Sequence, residues 1–164
     1  MNNKFKAVVI GLGRVGSSYP EYEIPRTHAG VYYRHSRIEL VAGVDTDEQA
    51  RLAFLKNWGK HIPVFESVEQ MLTEIQPDII SICTRHAELP QVIEAFRLSP
   101  PKVFFLEKPL ATDIQIMHRI ETAINMTPVA VNYQRCWDPS HKRFFERFIV
   151  IEDVLSIRVT YANG

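Results

Sequence analysis

The segment Val8–Gly16 constrains the fold of this chain more than any other part of the sequence. It reads Val-Val-Ile-Gly-Leu-Gly-Arg-Val-Gly, a buried β-strand that runs directly into a G-x-G-x-x-G turn. Gly11 permits a tight turn, Gly13 leaves room for a pyrophosphate, and Gly16 lets the next helix pack close to the strand. Backbone amides at the start of that helix would face the phosphates. The segment therefore predicts a dinucleotide-binding turn formed by Gly11, Leu12, Gly13, Arg14, Val15 and Gly16.

The charge balance and the cysteines narrow the class of protein. Lys and Arg number 19, as do Asp and Glu, so the net charge is zero, which argues against nucleic acid or an anionic membrane as the main partner. The apolar runs are shorter than the ~20 residues of a transmembrane helix, and no signal peptide precedes them. Cys83 and Cys136 are the only cysteines and form no metal-type cluster. We expect a cytoplasmic protein without a metal site.

Apolar runs that favour β-structure alternate with segments of helical pattern. Several of these runs are continuous, as expected for parallel strands covered on both faces. The alternation predicts an α/β fold with a doubly wound, mostly parallel sheet, the Rossmann fold. The predicted strands are Phe5–Ile10, Ile38–Val44, Val64–Phe65, Ile79–Cys83, Val103–Leu106 and Val129–Tyr133.

Capping signals place helices between these strands. Ser67-Val68-Glu69-Gln70 is a capping box that opens a helix ending near Ile75. Asp138-Pro139 is an N-cap followed by Pro and opens a helix that ends near Ile149. In the tail, Ser156–Tyr161 alternates like a strand, which must join an existing edge, pair with another chain or begin a further domain. The other predicted helices cover about Thr46–Asn57, Pro90–Leu98 and Asp113–Asn125.

Asp45 closes the second predicted strand, where an acidic side chain binds ribose hydroxyls and repels a 2′-phosphate. Thr46 follows and no Arg adjoins Asp45, which favours NAD and leaves NADP as an alternative. The other reading of Asp45 is an ordinary helix N-cap. Asp45 lies 29 residues after Gly16, where about 20 is typical, and Ser17–Pro25 accounts for the surplus. We expect Ser17–Pro25 to interrupt the first helix as a loop that either covers the pyrophosphate or decorates the surface.

Two further segments follow strands that end at the carboxyl edge of the predicted sheet, where ligands bind in such folds. The fourth predicted strand ends at Cys83 and is followed by Thr84 and Arg85, and we predict that these three residues contact the cofactor. His86 comes next and is equally compatible with a contact to cofactor or substrate and with a surface loop. After the fifth strand comes Glu107-Lys108-Pro109. A Lys at a strand end beside an acid can bind a substrate hydroxyl or share its proton. Lys108 is therefore the predicted catalytic residue, and the whole tripeptide is predicted to contact the cofactor.

The Glu-Lys-Pro-Leu-Ala pattern after a strand, the glycine turn and Asn132-Tyr133-Gln134-Arg135 together resemble the Gfo/Idh/MocA family of nicotinamide-dependent oxidoreductases. The resemblance covers about residues 4 to 164, and Phe104–Ala111 is its most specific piece. Arg26-Thr27-His28-Ala29 resembles the helix segment that follows the glycine turn in the family. The resemblance implies hydride transfer between NAD(P) and a sugar, cyclitol or related hydroxyl or carbonyl compound. It also implies that Lys108 takes part in catalysis and that Arg135 contacts cofactor or substrate.

The resemblance further implies a second domain that is largely absent from this chain. In the family that domain carries a catalytic Asp and His, the substrate pocket and commonly the oligomer contacts. Residues 1–150 would then be the NAD(P)-binding domain, and residues 151–164 the start of a truncated C-terminal domain for substrate binding and oligomerisation. We expect a homo-oligomer or a chain that lacks its second domain, with self-association through uncovered apolar residues. A non-catalytic NAD-binding module or subunit is the alternative function.

Two departures from the family pattern affect the predicted site. Thr84-Arg85-His86-Ala87-Glu88 is shorter than the corresponding family segment, so the role of His86 is open. Arg135-Cys136-Trp137 stands where the family often has two Arg residues before an aromatic residue, so the second cation is missing. Cys136 has no readable base beside it, and we expect a small buried apolar group there rather than a nucleophile.

Overall fold

A computed structural model of the chain describes residues 4–19, 25–133, 138–140 and 142–143. The chain divides into two compact units, residues 1–132 and residues 133–164. The first unit contains a six-stranded sheet, and the domain boundary near residue 150 stays a prediction. The strands are β1 (Phe5–Ile10), β2 (Ile38–Val44), β3 (Val64–Phe65), β4 (Ile79–Ile82), β5 (Val103–Leu106) and β6 (Val129–Val131).

The sheet confirms the predicted doubly wound, parallel topology. The strand order is β3-β2-β1-β4-β5-β6, and every neighbouring pair is parallel. Consecutive strands add outward from β1 on one side, and the chain then crosses to β4 on the other side. A crevice therefore opens at the carboxyl ends of β1 and β4, which is where ligands bind in open parallel sheets.

The central strand β1 shows why continuous apolar runs predicted parallel strands here. Successive side chains of a strand point to opposite faces of the sheet. Val8 and Ile10 belong to one buried cluster with residues of α3, α4 and α5, whereas Ala7 and Val9 belong to a second cluster with residues of α1 and α2. Both faces are covered, so neither face of β1 needs polar residues.

In the part of the chain that the structure describes, five α-helices flank the sheet: α1 (His28–Arg34), α2 (Glu48–Trp58), α3 (Val68–Glu74), α4 (Leu89–Glu94) and α5 (Ile114–Ile124). The Ser67 hydroxyl accepts a hydrogen bond from the Gln70 amide, which confirms the predicted start of α3. Asp113 caps α5 in the same way. These caps satisfy amides that have no partner inside the helix.

The strand ends and two helices differ in length from the predictions. β4 ends one residue before the predicted Cys83, and β6 ends two residues before the predicted Tyr133. α2 begins at Glu48 rather than Thr46, because the Asp47 side chain caps it. α4 ends at Glu94 rather than Leu98, because the amides of Phe96 and Arg97 bond three residues back instead of four.

The segment after the glycine turn is interrupted, as predicted, although the loop begins later than Ser17. Arg14–Ser18 forms one π-helical turn, the described residues 19 and 25–27 are not helical, and α1 begins at His28. The Arg14 guanidinium lies 4.9 Å from the centre of the Tyr19 ring. Residues 20–24 lie outside the described residues, so the role of Ser17–Pro25 stays a prediction.

Only the start of the helix predicted from Asp138 to Ile149 falls on described residues. Asp138 Oδ1 accepts from the Ser140 amide at 2.7 Å, and the Lys142 amide donates to the Asp138 carbonyl at 3.0 Å. These contacts are those of an N-cap and a first helical turn. Arg135, Cys136 and Ser156–Tyr161 lie outside the described residues.

At the amino edge of the sheet, Asp78 links the starts of three strands. Its carboxylate accepts from the Lys6 amide at 2.9 Å and contacts the Lys102 ammonium at 2.9 Å. Its own amide donates to the Lys6 carbonyl, and its carbonyl accepts from the Lys102 amide, each at 2.8 Å. The hydrogen bond from Lys102, followed by that from the Lys6 amide, holds the pKa of Asp78 below its usual value.

Asp78→Asn should destabilise the fold in a pH-dependent way. Because the folded pKa lies below the unfolded one, the carboxylate stabilises the fold above the unfolded pKa, and this contribution is lost as the pH falls through the folded pKa. We expect a loss of about 1 kcal/mol at neutral pH, given the partial exposure of the pair, that shrinks towards pH ~2. Urea unfolding at both pH values measures it, with Glu39→Gln at an exposed position of β2 as the control. An equal loss at both pH values would contradict the assignment.

Candidate functional site

The three glycines of the turn have different structural requirements. Gly11 has φ +86°, and a Cβ there would lie 2.8 Å from the Cys83 carbonyl carbon. A Cβ on Gly16 would lie 1.9 Å from the Gly11 carbonyl oxygen. A Cβ on Gly13 would meet no atom within 4 Å. The fold therefore requires Gly11 and Gly16, whereas only a ligand in front of the turn would require Gly13.

The turn presents an outer and an inner face. Gly13, Arg14 and Val15 are exposed, while Leu12 and Gly16 are buried. Leu12 packs its side chain close to Gly43 of β2 and gives its amide to Asp45. Leu12 and Gly16 thus support the turn from behind, and the exposed face is formed by Gly13, Arg14 and Val15.

Asp45 lies beside the glycine turn, at the end of β2. Its Oδ2 accepts from the Leu12 amide at 2.7 Å, and its Oδ1 accepts from the Asp47 amide at 2.9 Å. The cap of α2 is Asp47 rather than Asp45, so the alternative reading of Asp45 as the helix cap is wrong. Each carboxylate oxygen has a second lone pair available for a hydroxyl donor.

One cation near Asp45, the Arg51 guanidinium, was not predicted from the sequence. Arg51 of α2 donates from Nη1 to the Asp45 carbonyl at 2.7 Å and to the Thr46 carbonyl at 3.0 Å. No Arg adjoins Asp45 in the sequence, but one helical turn brings this guanidinium back to the start of α2. Arg51 lies four residues after Asp47, the cap of α2, and residues at this spacing are neighbours on a helix. Once the cap is known, this spacing indicates that Arg51 lies near the start of α2.

A cleft of about 670 Å³ connects the carboxyl ends of β1, β2 and β4. It is lined by seven of the predicted cofactor-binding residues, together with the Ser67 cap of α3 and side chains of α4 such as Gln91, which were not predicted from the sequence as site residues. The seven predicted residues are Gly11, Gly13, Asp45, Thr46, Cys83, Thr84 and Arg85. Segments far apart in the sequence are brought together here because parallel strands end at one edge.

Two side chains after β4 have distinct chemistry. The Thr84 hydroxyl is buried and has no hydrogen-bond partner among the described residues. A buried hydroxyl without a partner is costly, so this group fits a site that a polar ligand completes. Burial, and then the charge of Glu107, raise the pKa of the Cys83 thiol, so Cys83 stays protonated and is no nucleophile.

Glu107-Lys108-Pro109 follows β5, and none of its residues lines the cleft just described. Lys108 and Pro109 are exposed, and the peptide bond between them is cis. Burial by itself would raise the pKa of Glu107, but hydrogen bonds from His28 and Asn132 outweigh it and the pKa lies below its usual value. Glu107 is therefore an ionised carboxylate directly next to the exposed Lys108.

A buried polar group adjoins Glu107 and includes residues that the sequence reasoning did not assign to the site. His28 Nε2 lies 3.0 Å from Glu107 Oε1, and His28 Nδ1 lies 2.7 Å from Ser81 Oγ. The Tyr32 hydroxyl lies 2.6 Å from the same Ser81 oxygen. Burial raises the pKa of Tyr32 to about 12, against the effect of its Ser81 hydrogen bond. The polar Ser81 within the apolar strand Ile-Ile-Ser-Ile was the available sequence signal.

Among the described residues, no helix is long and apolar enough to cross a membrane. No group of three or more His, Cys, Asp or Glu side chains in these parts of the chain is arranged to hold a metal ion.

The fold and the site together define a dinucleotide-binding domain of the Rossmann class. A glycine turn leads out of β1, an acid closes β2, and the crevice lies at the point where the strand order reverses. The sequence model described as the Gfo/Idh/MocA oxidoreductase family, NAD-binding Rossmann fold, matches residues 5–134. The chain belongs to this family.

Solved structures share the fold at low sequence identity. The scyllo-inositol dehydrogenase from Lactobacillus casei with bound NAD(H) and scyllo-inositol is 20% identical, with a TM-score of 0.72 over 90% of this chain and 41% of that one. The myo-inositol 2-dehydrogenase from Lactobacillus plantarum is 22% identical, with a TM-score of 0.71 over 90% and 41%. No curated protein matches the sequence at a significant level.

A third similar structure is the WlbA dehydrogenase from Chromobacterium violaceum in complex with NADH and UDP-GlcNAcA. It is 19% identical to this chain, with a TM-score of 0.75 over 91% of this chain and 41% of that chain. The chain thus spans about two fifths of the length of these relatives.

Gly16→Ala and Gly13→Ala should affect stability very differently. The added methyl at position 16 would collide with the Gly11 carbonyl, so we expect a loss of roughly 3 kcal/mol or failure to fold. The methyl at position 13 enters open space at φ −66°, and we expect a change within about 0.5 kcal/mol. Thermal unfolding of both variants measures the difference. Similar midpoints for the two variants would show that the turn is packed differently.

Proposed function

We propose that this chain is the cofactor-binding part of an NAD-dependent oxidoreductase. Its substrate would be a sugar, cyclitol or related compound with a hydroxyl or carbonyl carbon. The observation that carries the proposal is the open space at Gly13, in a turn whose other two glycines are held by contact. Two findings support the substrate class. The chain belongs to the Gfo/Idh/MocA family, and two structurally similar proteins were solved with scyllo-inositol and with UDP-GlcNAcA.

The residues at the cleft fit a dinucleotide. The gap at Gly13 gives a pyrophosphate access to the backbone, and the Asp45 carboxylate has lone pairs for ribose hydroxyls. The Thr84 hydroxyl, which has no partner in the described part of the chain, would gain one from the ligand. When bound, the nicotinamide cofactor supplies or accepts the hydride. We assign NAD rather than NADP, because the Asp45 charge would repel a 2′-phosphate.

Lys108 is the proposed catalytic residue. It leaves the carboxyl end of β5 exposed, so its ammonium is free to donate a hydrogen bond to a substrate oxygen and polarise the carbon to which that oxygen is attached. Arg135 is proposed to contact cofactor or substrate and lies outside the described residues. We also propose that the protein has a second domain, forms a homo-oligomer and is located in the cytoplasm.

NADH titration followed by fluorescence tests the cofactor site. We expect saturable binding by the unchanged chain and at least tenfold weaker binding by Gly13→Val, because the larger side chain fills the space that the ligand needs. Val31→Ala on the exposed face of α1 is the control and should bind normally. Equal NADH affinity of Gly13→Val and the unchanged chain, with both folded, would remove the central support for the proposal.

A panel of polyols and sugars separates the enzyme from a non-catalytic binding module. Turnover that disappears in Lys108→Ala would support the oxidoreductase. NADH binding without turnover, in a protein that carries the second domain, would support the module instead.

Asp45→Ser should change the preference between the two nicotinamide cofactors. Loss of the carboxylate removes ribose acceptors and the repulsion of a 2′-phosphate, and it leaves the Arg51 guanidinium nearby. We expect NADH affinity to fall about tenfold and NADPH affinity to rise. Asp47→Ser is the matched control, since Ser also caps a helix while one nearby charge is removed. Tighter binding of NADPH than NADH by the unchanged chain would refute the role of Asp45.

A further inference from the structure

Three buried polar side chains, those of His28, Ser81 and Tyr32, form a hydrogen-bonded row in the core that contacts Glu107 of the Glu107-Lys108-Pro109 segment. His28 and Tyr32 lie four residues apart on α1 and therefore on one face of that helix. Ser81 lies opposite them in β4. His28 is 5% exposed, Tyr32 4% and Ser81 0%, so each must have hydrogen-bond partners to offset the cost of leaving water.

The chemistry of the partners assigns a donor and an acceptor to each hydrogen bond of this row. A carboxylate can only accept, so His28 Nε2 carries a proton and donates to Glu107. In a neutral imidazole, Nδ1 then accepts from the Ser81 hydroxyl, and Ser81 accepts from the Tyr32 hydroxyl. Each of the three donated protons in this row then has one acceptor.

The protonated imidazole fits less well. His28 Nδ1 would then donate to Ser81, and the Ser81–Tyr32 hydrogen bond could run in either direction. In both cases the proton of one of these two buried hydroxyls would be left without an acceptor among the described residues. The geometry therefore favours neutral His28 with its proton on Nε2.

The row ends on a carboxylate that other groups also hold. Glu107 Oε1 accepts from His28 and from the Asn132 side-chain amide. Glu107 Oε2 faces the backbone amide of Lys108 at 3.3 Å. Three donors from α1, from the residue after β6 and from the neighbouring peptide thus restrain Glu107, which leaves it no freedom to serve as a mobile acid or base.

We propose that His28 is a positioning residue for Lys108. As the neutral Nε2–H imidazole, anchored by Ser81 and Tyr32, it holds the Glu107 carboxylate against the Lys108 peptide and so determines how the lysine leaves the end of β5. The consequence for the cofactor site rests on the proposed function, whereas the tautomer and the contact with Glu107 do not.

Two amide substitutions separate positioning from bulk packing. Gln at position 28 can place an N–H near the position of Nε2 and so keep the donor to Glu107, whereas Asn reaches only the position of Nδ1. We expect His28→Gln to preserve the ¹H and ¹⁵N shifts of the Lys108 amide and His28→Asn to move them. His118→Asn is the control, because His118 is exposed and pairs with Glu121 at the surface.

NADH affinity provides the second readout. We expect about tenfold weaker binding by His28→Asn and binding within about twofold of the unchanged chain for His28→Gln. If neither the unchanged chain nor either variant binds NADH, the proposed function fails. The Lys108 amide shifts still test whether His28 positions Lys108. If NADH binds but the Lys108 amide and the affinity are the same in both variants, the positioning role is refuted.

The ¹⁵N shifts of the unchanged protein test the tautomer without any substitution. We expect an Nε2–H signal and an unprotonated Nδ1 for His28 at neutral pH. Two protonated ring nitrogens, or a proton on Nδ1 alone, would overturn the proposal even if His28→Asn failed to fold.

Discussion

Close packing of the glycine turn against the end of β4 is the constraint on which the site depends. The Gly11 backbone approaches the Cys83 carbonyl, and Gly16 lies directly over the Gly11 carbonyl, so neither position has room for a side chain. This packing brings the end of β1 between the ends of β2 and β4. Asp45 can then hold the Leu12 amide, and the cleft forms along one edge of the sheet. A looser turn would separate the diphosphate position from the ribose position.

The two ends of the sheet divide stability and function between them. At the amino edge, Asp78 connects β1 with the start of β5 through backbone and side-chain contacts that face no cleft residue. At the carboxyl edge, polar groups such as the Asp45 carboxylate and the Thr84 hydroxyl retain unused hydrogen-bonding capacity. Polar groups satisfied within the protein support the fold, and those with spare capacity are suited to a ligand.

The carboxyl edge also contains two kinds of acid. Asp45 is partly exposed, beside the open space at Gly13, where a ligand can reach it. Glu107 is enclosed by donors from His28, Asn132 and the Lys108 amide, and these outweigh the effect of burial on its pKa. The first acid is suited to recognition and the second to holding the peptide that carries Lys108. Position in the fold, rather than residue type, separates these roles.

The sequence by itself determined the strands, the parallel topology and seven of the residues that line the cleft, since continuous apolar runs and the spacing Gly11-x-Gly13-x-x-Gly16 are local signals with direct physical causes. Only the tertiary structure decided that Asp47 rather than Asp45 caps α2, that Arg51 returns to Asp45, and that His28 meets Glu107. These outcomes depend on contacts between residues up to 79 positions apart. Hydrophobic periodicity reports which face of an element is buried, but not which polar side chains meet across the core.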